Sequence, residues 1–238
     1  MVMRATVKER REVADGTLFV LFDLLGEKVD FQPGQYFWVT LLEPPYEDEK
    51  GPRRHISVAT SPNDWGVLGL ATRLRDSAFK RSLAELEVGA EVEVEHPKGD
   101  FVLPAETDLP YVFVAGGIGI TVFRSMLLYI AEEDLPHRVT LVYSNRDRAS
   151  AAFLDELTRL ASERDNIDLV LTMTQDDGWD GETRFVGPEL LHDHLAGDLD
   201  GYRYLLAGPP AMVEAVTDSL REAGIPDELI HPERFSGY

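Results

Sequence analysis

Along the first hundred residues, short runs have strand character, some alternating apolar with polar and some mainly apolar: 5–13, 17–25, 35–42, 55–59, 68–74 and 91–96. Gly, Pro and Asp turns separate these runs, which is the pattern of half-buried strands. Several short strands at this spacing predict a closed antiparallel barrel. One segment breaks this pattern: Phe79, Leu83 and Leu86 recur at helical spacing over residues 77–86, with Ser77 placed to act as N-cap. Beyond residues 104–110 the period changes. The apolar runs at 111–115 and 204–207 and the mainly apolar runs at 139–143 and 167–172 read as buried strands. Helical segments follow Gly119 and occupy about 151–164, 188–195 and 210–223. Buried strands joined by helices predict an open parallel sheet, because a parallel pair needs a crossover connection. The chain therefore reads as an antiparallel β-barrel domain over residues 1–106, followed by an α/β domain with a parallel sheet over 107–238. Residues 44–52, with Glu47, Asp48, Glu49 and Lys50, read as a solvated loop, and the acidic stretch 176–182 as a solvated turn.

Composition narrows what such a pair of domains can do. The 238 residues are 44% hydrophobic and 28% charged, a globular balance with room for two cores. There is no cysteine, which removes a catalytic thiol, a thiolate zinc site and a Cys-bound iron-sulfur cluster, so a redox centre has to be an organic cofactor or use other ligands. Asp and Glu number 43 against 23 Lys and Arg, a formal charge of -20 that disfavours nucleic acid and anionic membrane as partners. That acidity fits high-salt surroundings and an ordinary acidic protein about equally well. No apolar run approaches the ~20 residues of a membrane span, and residues 1–11 carry no signal-type apolar core, so a cytoplasmic location without membrane insertion is expected. His192 and His194 stand two apart on an expected helix and face different ways, and neither a His-Glu-x-x-His nor a Gly-x-Ser-x-Gly pattern occurs. No metal site is expected.

Three stretches carry candidate chemistry. Gly116, Gly117, Gly119, Ile120 and Thr121 lie between an apolar strand and a helix, where glycines admit a ligand to the backbone and the helix N-terminus offers N–H groups to a diphosphate. Ala207, Gly208, Pro209 and Met212 repeat the strand-to-helix arrangement, and in an open parallel sheet both turns can face one ligand. Each turn alone also fits a tight connection with no ligand. In the barrel, Arg54, His55, Ile56 and Ser57 lie on one strand, Thr72 and Arg73 on the next, and Ser77, Ala78 and Lys80 at a helix start. Arg54 and Lys80 suit a diphosphate, and the Ser57 hydroxyl suits a flavin ring edge.

In this order the motifs resemble the ferredoxin-NADP reductase family along nearly the whole chain. Its Arg-x-Tyr-Ser, Gly-Gly-x-Gly-x-Thr-Pro, Cys-Gly-Pro and Glu-x-Phe-x-Gly-Tyr stretches correspond to residues 54–57, 116–122, 207–209 and the closing Glu233 to Tyr238. The resemblance implies FAD held by Arg54, His55, Ile56, Ser57, Thr72, Arg73, Leu74, Ser77, Ala78 and Lys80. It implies NAD(P)H received by Gly116 to Thr121, by Ser144, Asn145 and Arg146, and by Ala207 to Met212. Ser57, Glu233 and Tyr238 are then the expected catalytic residues, with Tyr238 covering the flavin where the nicotinamide must arrive. The implied activity is hydride transfer from NAD(P)H to FAD and delivery of electrons to a separate acceptor: a ferredoxin, a flavodoxin or an oxygenase component. A free-flavin reductase and a non-autonomous electron-transfer or nucleotide-sensing subunit are the alternatives. Arg146 leans the dinucleotide choice towards NADPH. Three positions depart from the family pattern: Ile56 for the stacking aromatic, Val122 for the proline at the helix start, and Ala207 for the cysteine.

Overall fold

The protein is described here by a computed structural model covering residues 1–235. It divides into two compact units, residues 1–103 with 124–132, and residues 104–123 with 133 onward.

The first unit is a six-stranded, wholly antiparallel sheet formed by β1 (Val2–Ala14), β2 (Thr17–Asp23), β3 (Tyr36–Leu41), β4 (Arg53–Ser57), β5 (Val67–Arg73) and β6 (Glu91–Glu95), in the order β4-β3-β6-β1-β2-β5. Alternation drives it: Met3, Ala5 and Val7 of β1 turn inward with Val92 and Val94 of β6, Val39 and Leu41 of β3, and Phe22 of β2. The two edge strands do not pair directly. The chain leaving β4 joins the edges instead, with Val58 N–H donating to Gln35 O (2.9 Å) and Ala59 N–H to Gly69 O (2.8 Å), which curls the sheet into a barrel. Helix α1 (Ala78–Glu85) starts where expected, because the Ser77 Oγ accepts the N–H of Lys80 at 3.3 Å, and Phe79 and Leu83 plug it into the barrel core.

The second unit is a five-stranded parallel sheet of β7 (Tyr111–Gly116), β8 (Val139–Asn145), β9 (Ile167–Met173), β10 (Arg203–Gly208) and β11 (Ile230–Arg234), ordered β11-β10-β7-β8-β9. Helices α2 (Ile120–Glu132), α3 (Leu154–Glu163), α4 (Pro188–His194) and α5 (Pro210–Glu222) provide crossovers. β7 is buried at all six positions and β10 at five of its six, which is why both read as unbroken apolar runs. Strand order runs outward from β7 through β8 to β9, then returns to β10 on its other side, so the sheet reverses between β7 and β10. β11 was not among the expected strands. Its sequence, Ile-His-Pro-Glu-Arg, lacks both alternation and an apolar run, and it forms by adding to the edge of β10.

Both loops expected to be solvated are mostly exposed, and both also carry specific contacts. In the stretch 44–52, Tyr46 N–H donates to Ser82 Oγ (3.1 Å), its phenol donates to Glu85 (2.7 Å), and the Arg81 guanidinium lies 3.9 Å from its ring centre. The turn 176–182 is organised as well. Asp176 accepts N–H groups from Arg148 (3.2 Å) and Gly178 (3.1 Å), which, with the Arg148 guanidinium, hold its carboxyl below the usual range.

Candidate cofactor sites

In the first unit, the expected flavin residues gather around the start of α1. Arg54 is half-buried on edge strand β4, its guanidinium 5.2 Å from the centre of the Phe79 ring. Its Nη1 donates to the carbonyls of Lys50 (3.0 Å), Gly51 (2.9 Å) and Arg53 (2.7 Å). Its Nη2 is buried with no hydrogen-bond partner among the described residues. A buried guanidinium nitrogen without an acceptor costs free energy, so this position calls for an anion. Lys80 supports the same conclusion. Burial, and then the like charges of Arg75 and Arg54, push its pKa down. Three cations therefore converge on a helix start that carries no acidic residue in its first turn. The donor set suits a diphosphate.

The neighbouring residues are arranged less uniformly. Ile56 packs against the barrel core. His55 is exposed on the other face, edge-on to Tyr36 at 5.3 Å and tilted against Trp38 at 4.9 Å. Ser57 is half-buried opposite Tyr36, Thr72 is buried opposite Leu18, Arg73 is half-buried, and Leu74 is 40% exposed. Asp48, which no sequence pattern marked, reaches the same place: its Oδ2 accepts the N–H of Ala78 at 3.2 Å.

In the second unit, the two glycine turns end β7 and β10, neighbouring strands paired Ala115 to Ala207, at the point where strand order reverses. In open α/β sheets ligands bind in that crevice. A 3-10 turn, Gly117–Gly119, with Gly117 at φ +51°, leads into α2, and Thr121 Oγ donates to Ile118 O (3.0 Å). Ile120 is buried beneath the turn. As at any helix start, the first N–H groups have no intrahelical acceptor. Neither α2 nor α5 has an acidic residue in its first turn, whereas α3 has Asp155 and Glu156, and α4 has Glu189. In a chain this acidic, the two helix starts at the switch point could receive an anion without opposing a carboxylate of their own.

The glycines, however, are needed chiefly by the protein itself. A Cβ on Gly119 would overlap the Ala207 carbonyl oxygen and stand 2.6 Å from its carbon and 2.9 Å from Gly208 Cα. A Cβ on Gly208 would lie 3.1 Å from Gly116 Cα, and one on Gly116 would run into the Met212 thioether. The turns pack backbone to backbone, with Pro209 capping α5 by accepting the N–H groups of Met212 and Val213, each at 3.0 Å.

At the end of β8, Ser144 is half-buried and aligned with Gly116. Asn145 is 5% exposed, and both polar atoms of its carboxamide are buried without a partner among the described residues. Arg146 is exposed. Glu233, on β11 opposite Ala207, is half-buried, and burial raises its pKa. Tyr238 lies outside the described residues, as does the expected aromatic cover. Among the described residues no group of three His, Asp or Glu side chains could hold a metal, and no helix is long and apolar enough to cross a membrane.

The family model for the oxidoreductase NAD-binding domain matches residues 113–218, which contain both glycine turns and the end of β8. The anthranilate 1,2-dioxygenase electron transfer component of Acinetobacter baylyi is 32% identical over 212 residues, covering 88% of this chain and 59% of that protein. The crystal structure of the Amycolatopsis cytochrome P450 reductase GcoB superposes with a TM-score of 0.85 at 26% identity, over all of this chain and 70% of that one. The chain is similar along its length to ferredoxin reductase-like proteins and carries the oxidoreductase NAD-binding domain over residues 113–218. The flavohem-like FAD/NAD-binding domain of nitric oxide dioxygenase from Vibrio cholerae shares the fold over 99% of both chains, with a TM-score of 0.85 at 21% identity. In this chain the cationic seat at α1 falls in the unit that precedes the residues matched by the NAD-binding domain. The chain spans 59% of the length of the Acinetobacter relative it matches.

Proposed function

We propose that this chain is a flavoprotein reductase that binds FAD through residues 1–106 and NAD(P)H through 107–238, taking hydride from the dinucleotide and passing electrons to a separate acceptor. One observation carries the reading. A single chain holds a cationic seat with an unsatisfied guanidinium nitrogen at one helix start, and two acid-free helix starts at a parallel-sheet switch point.

Arg54, Lys80 and the Ala78 N–H would hold the flavin diphosphate, and the half-buried Ser57 hydroxyl would orient the ring edge. The turns after β7 and β10 would take the dinucleotide diphosphate on backbone N–H groups. Bound FAD supplies the two-electron to one-electron chemistry, which the side chains alone cannot perform. The protein's contribution is orientation. Glu233, with its carboxyl biased by burial towards the protonated form, can hold a proton at its Oε atoms next to the β10 turn. Ala207 presents only a methyl group there.

The acceptor class is a ferredoxin, a flavodoxin or an oxygenase component, in keeping with relatives named as electron transfer or reductase components of oxygenases, and the location is the cytoplasm. Anaerobic titration with NADH and NADPH while recording the flavin spectrum tests the proposal: stoichiometric bleaching by either is expected, and a chain whose flavin neither nucleotide bleaches refutes it. A releasable flavin has one observation in its favour, since Ile56 packs into the barrel core and offers no ring. Loss of yellow colour on dialysis would assign the chain to the free-flavin reductases. Steady NAD(P)H oxidation with an artificial acceptor would exclude a subunit that works only inside a complex.

A further inference from the structure

The starts of α2 and α5 are open, but that of α1 is not. Asp48 Oδ2 accepts the Ala78 N–H at 3.2 Å, while Oδ1 accepts the Lys50 N–H at 2.9 Å and faces Arg54 Nη2 at 3.7 Å. A carboxylate of the chain's own thus lies on the helix N–H and beside the guanidinium that would otherwise receive a phosphate.

The segment carrying it is pinned at both ends. Tyr46 is fixed on α1 through Ser82, Glu85 and Arg81. Gly51, at φ +67°, turns the chain into β4, and its carbonyl is held by Arg54. Between these anchors are only Glu47, Asp48, Glu49 and Lys50, all exposed. The tip can leave while its anchors stay.

Its fit is also incomplete. A separation of 3.7 Å is too long for a hydrogen bond, and Nη2 remains buried and unsatisfied with the carboxylate in place. The carboxylate faces Arg54, one of three cations, with Arg75 and Lys80, whose like charges act on one another at this helix start. A diphosphate brings more charge and more acceptor oxygens to the same donors.

We propose that Asp48 is an internal anion that occupies the flavin diphosphate seat and must leave it when FAD binds, so that this residue sets the flavin affinity. The inference rests on residues 1–106 being the flavin unit. An exposed ion pair and one charge at a helix start together favour the docked tip by roughly five- to tenfold. Flavin binding to the undocked fraction is weakened by the same factor.

The test uses the full chain freed of flavin, with D48N and D48A. FAD and riboflavin binding are followed by flavin fluorescence, and pyrophosphate binding by calorimetry. D48N removes the charge and one of the two acceptor oxygens, keeping one for either the Lys50 or the Ala78 N–H, whereas D48A removes both. Both variants should bind FAD and pyrophosphate about fivefold more tightly, with riboflavin, which lacks a diphosphate, unchanged. Unchanged or weaker FAD and pyrophosphate binding overturns the inference, as does equal tightening of riboflavin, which would indicate general loosening. If FAD binds equally to all three proteins, the plug is wrong and the flavin reading stands. If none binds FAD but D48N gains pyrophosphate affinity, the plug stands and the flavin reading fails.

Discussion

Replacing Gly119 by alanine separates two reasons for a glycine at this turn. One is room for a ligand; the other is room for the protein's own backbone. The added Cβ would overlap the Ala207 carbonyl oxygen and sit 2.6 Å from its carbon and 2.9 Å from Gly208 Cα. None of these atoms can swing aside as the end of a side chain does, because Ala207 and Gly208 belong to β10, which is paired on both sides with β7 and β11. Overpacking costs about 1–3 kcal/mol, and contact with paired backbone belongs at the upper end. Alanine returns roughly 0.4–1 kcal/mol by restricting the unfolded chain. The net expectation is a loss of about 2 kcal/mol, or roughly 6–10 °C in the melting of the nucleotide-binding unit. Calorimetry resolves it, with Gly201→Ala as the control, since nothing lies within 4 Å of a Cβ there and its φ is not positive. The control should melt at or slightly above the parent temperature. Dinucleotide affinity measured well below the transition should fall less than the stability does. If Gly119→Ala melts like the parent and yet loses the dinucleotide, the turn is shaped for the ligand and the packing argument is wrong.

Three further expectations follow from individual side chains. Arg146 is exposed beyond β8, so Arg146→Ala should raise the Michaelis constant for NADPH several-fold and leave that for NADH nearly unchanged; equal effects would remove it from 2'-phosphate recognition. Glu182 accepts the N–H groups of Thr183 and Arg184 (2.9 Å each) and the Arg184 guanidinium, which lower its pKa from 4.5 to about 2. A depressed carboxylate stabilises the fold above its unfolded pKa and loses that contribution as pH falls towards the folded value, so between pH 4.5 and about 2 the parent should lose more stability than Glu182→Gln, which keeps only the share of other depressed carboxylates such as Asp176. Glu233 is raised by burial, so its contribution is present at low pH and lost as pH rises through the folded pKa. Glu233→Gln should therefore be more stable than the parent at pH 7 while reducing flavin more slowly; a mutant that is faster, or less stable at that pH, refutes the assignment.

The sequence pattern revealed those features that depend on one-dimensional periodicity. Both fold classes follow from it: alternation over β1 and β3, continuous burial over β7 and β10. The start of α1 was legible because Ser77 performs its cap locally. β11 was not, because Pro232 and Glu233 interrupt any apolar run and the strand exists only by pairing with β10. Asp48 was hidden for a related reason. Its partner Ala78 stands 30 residues away, and an Asp in an acidic loop has nothing in its neighbourhood to show that it will meet a helix end.

The glycine turns show the opposite limit, where the residues are conspicuous but their cause is not. Gly116, Gly119 and Gly208 suit a diphosphate, and the same residues lie where the two turns pack closely, Gly119 and Gly208 against backbone and Gly116 against the Met212 and Pro209 side chains. These causes reinforce one another. Close packing of the turns after β7 and β10 brings two helix starts, α2 and α5, to one edge of the sheet, and neither first turn carries an acidic residue that would oppose an anion there. Glycine thus serves first to let the helix starts converge. A side chain at Gly119 would separate the helix ends before it touched any phosphate, which is why stability, and not only affinity, is the quantity to measure.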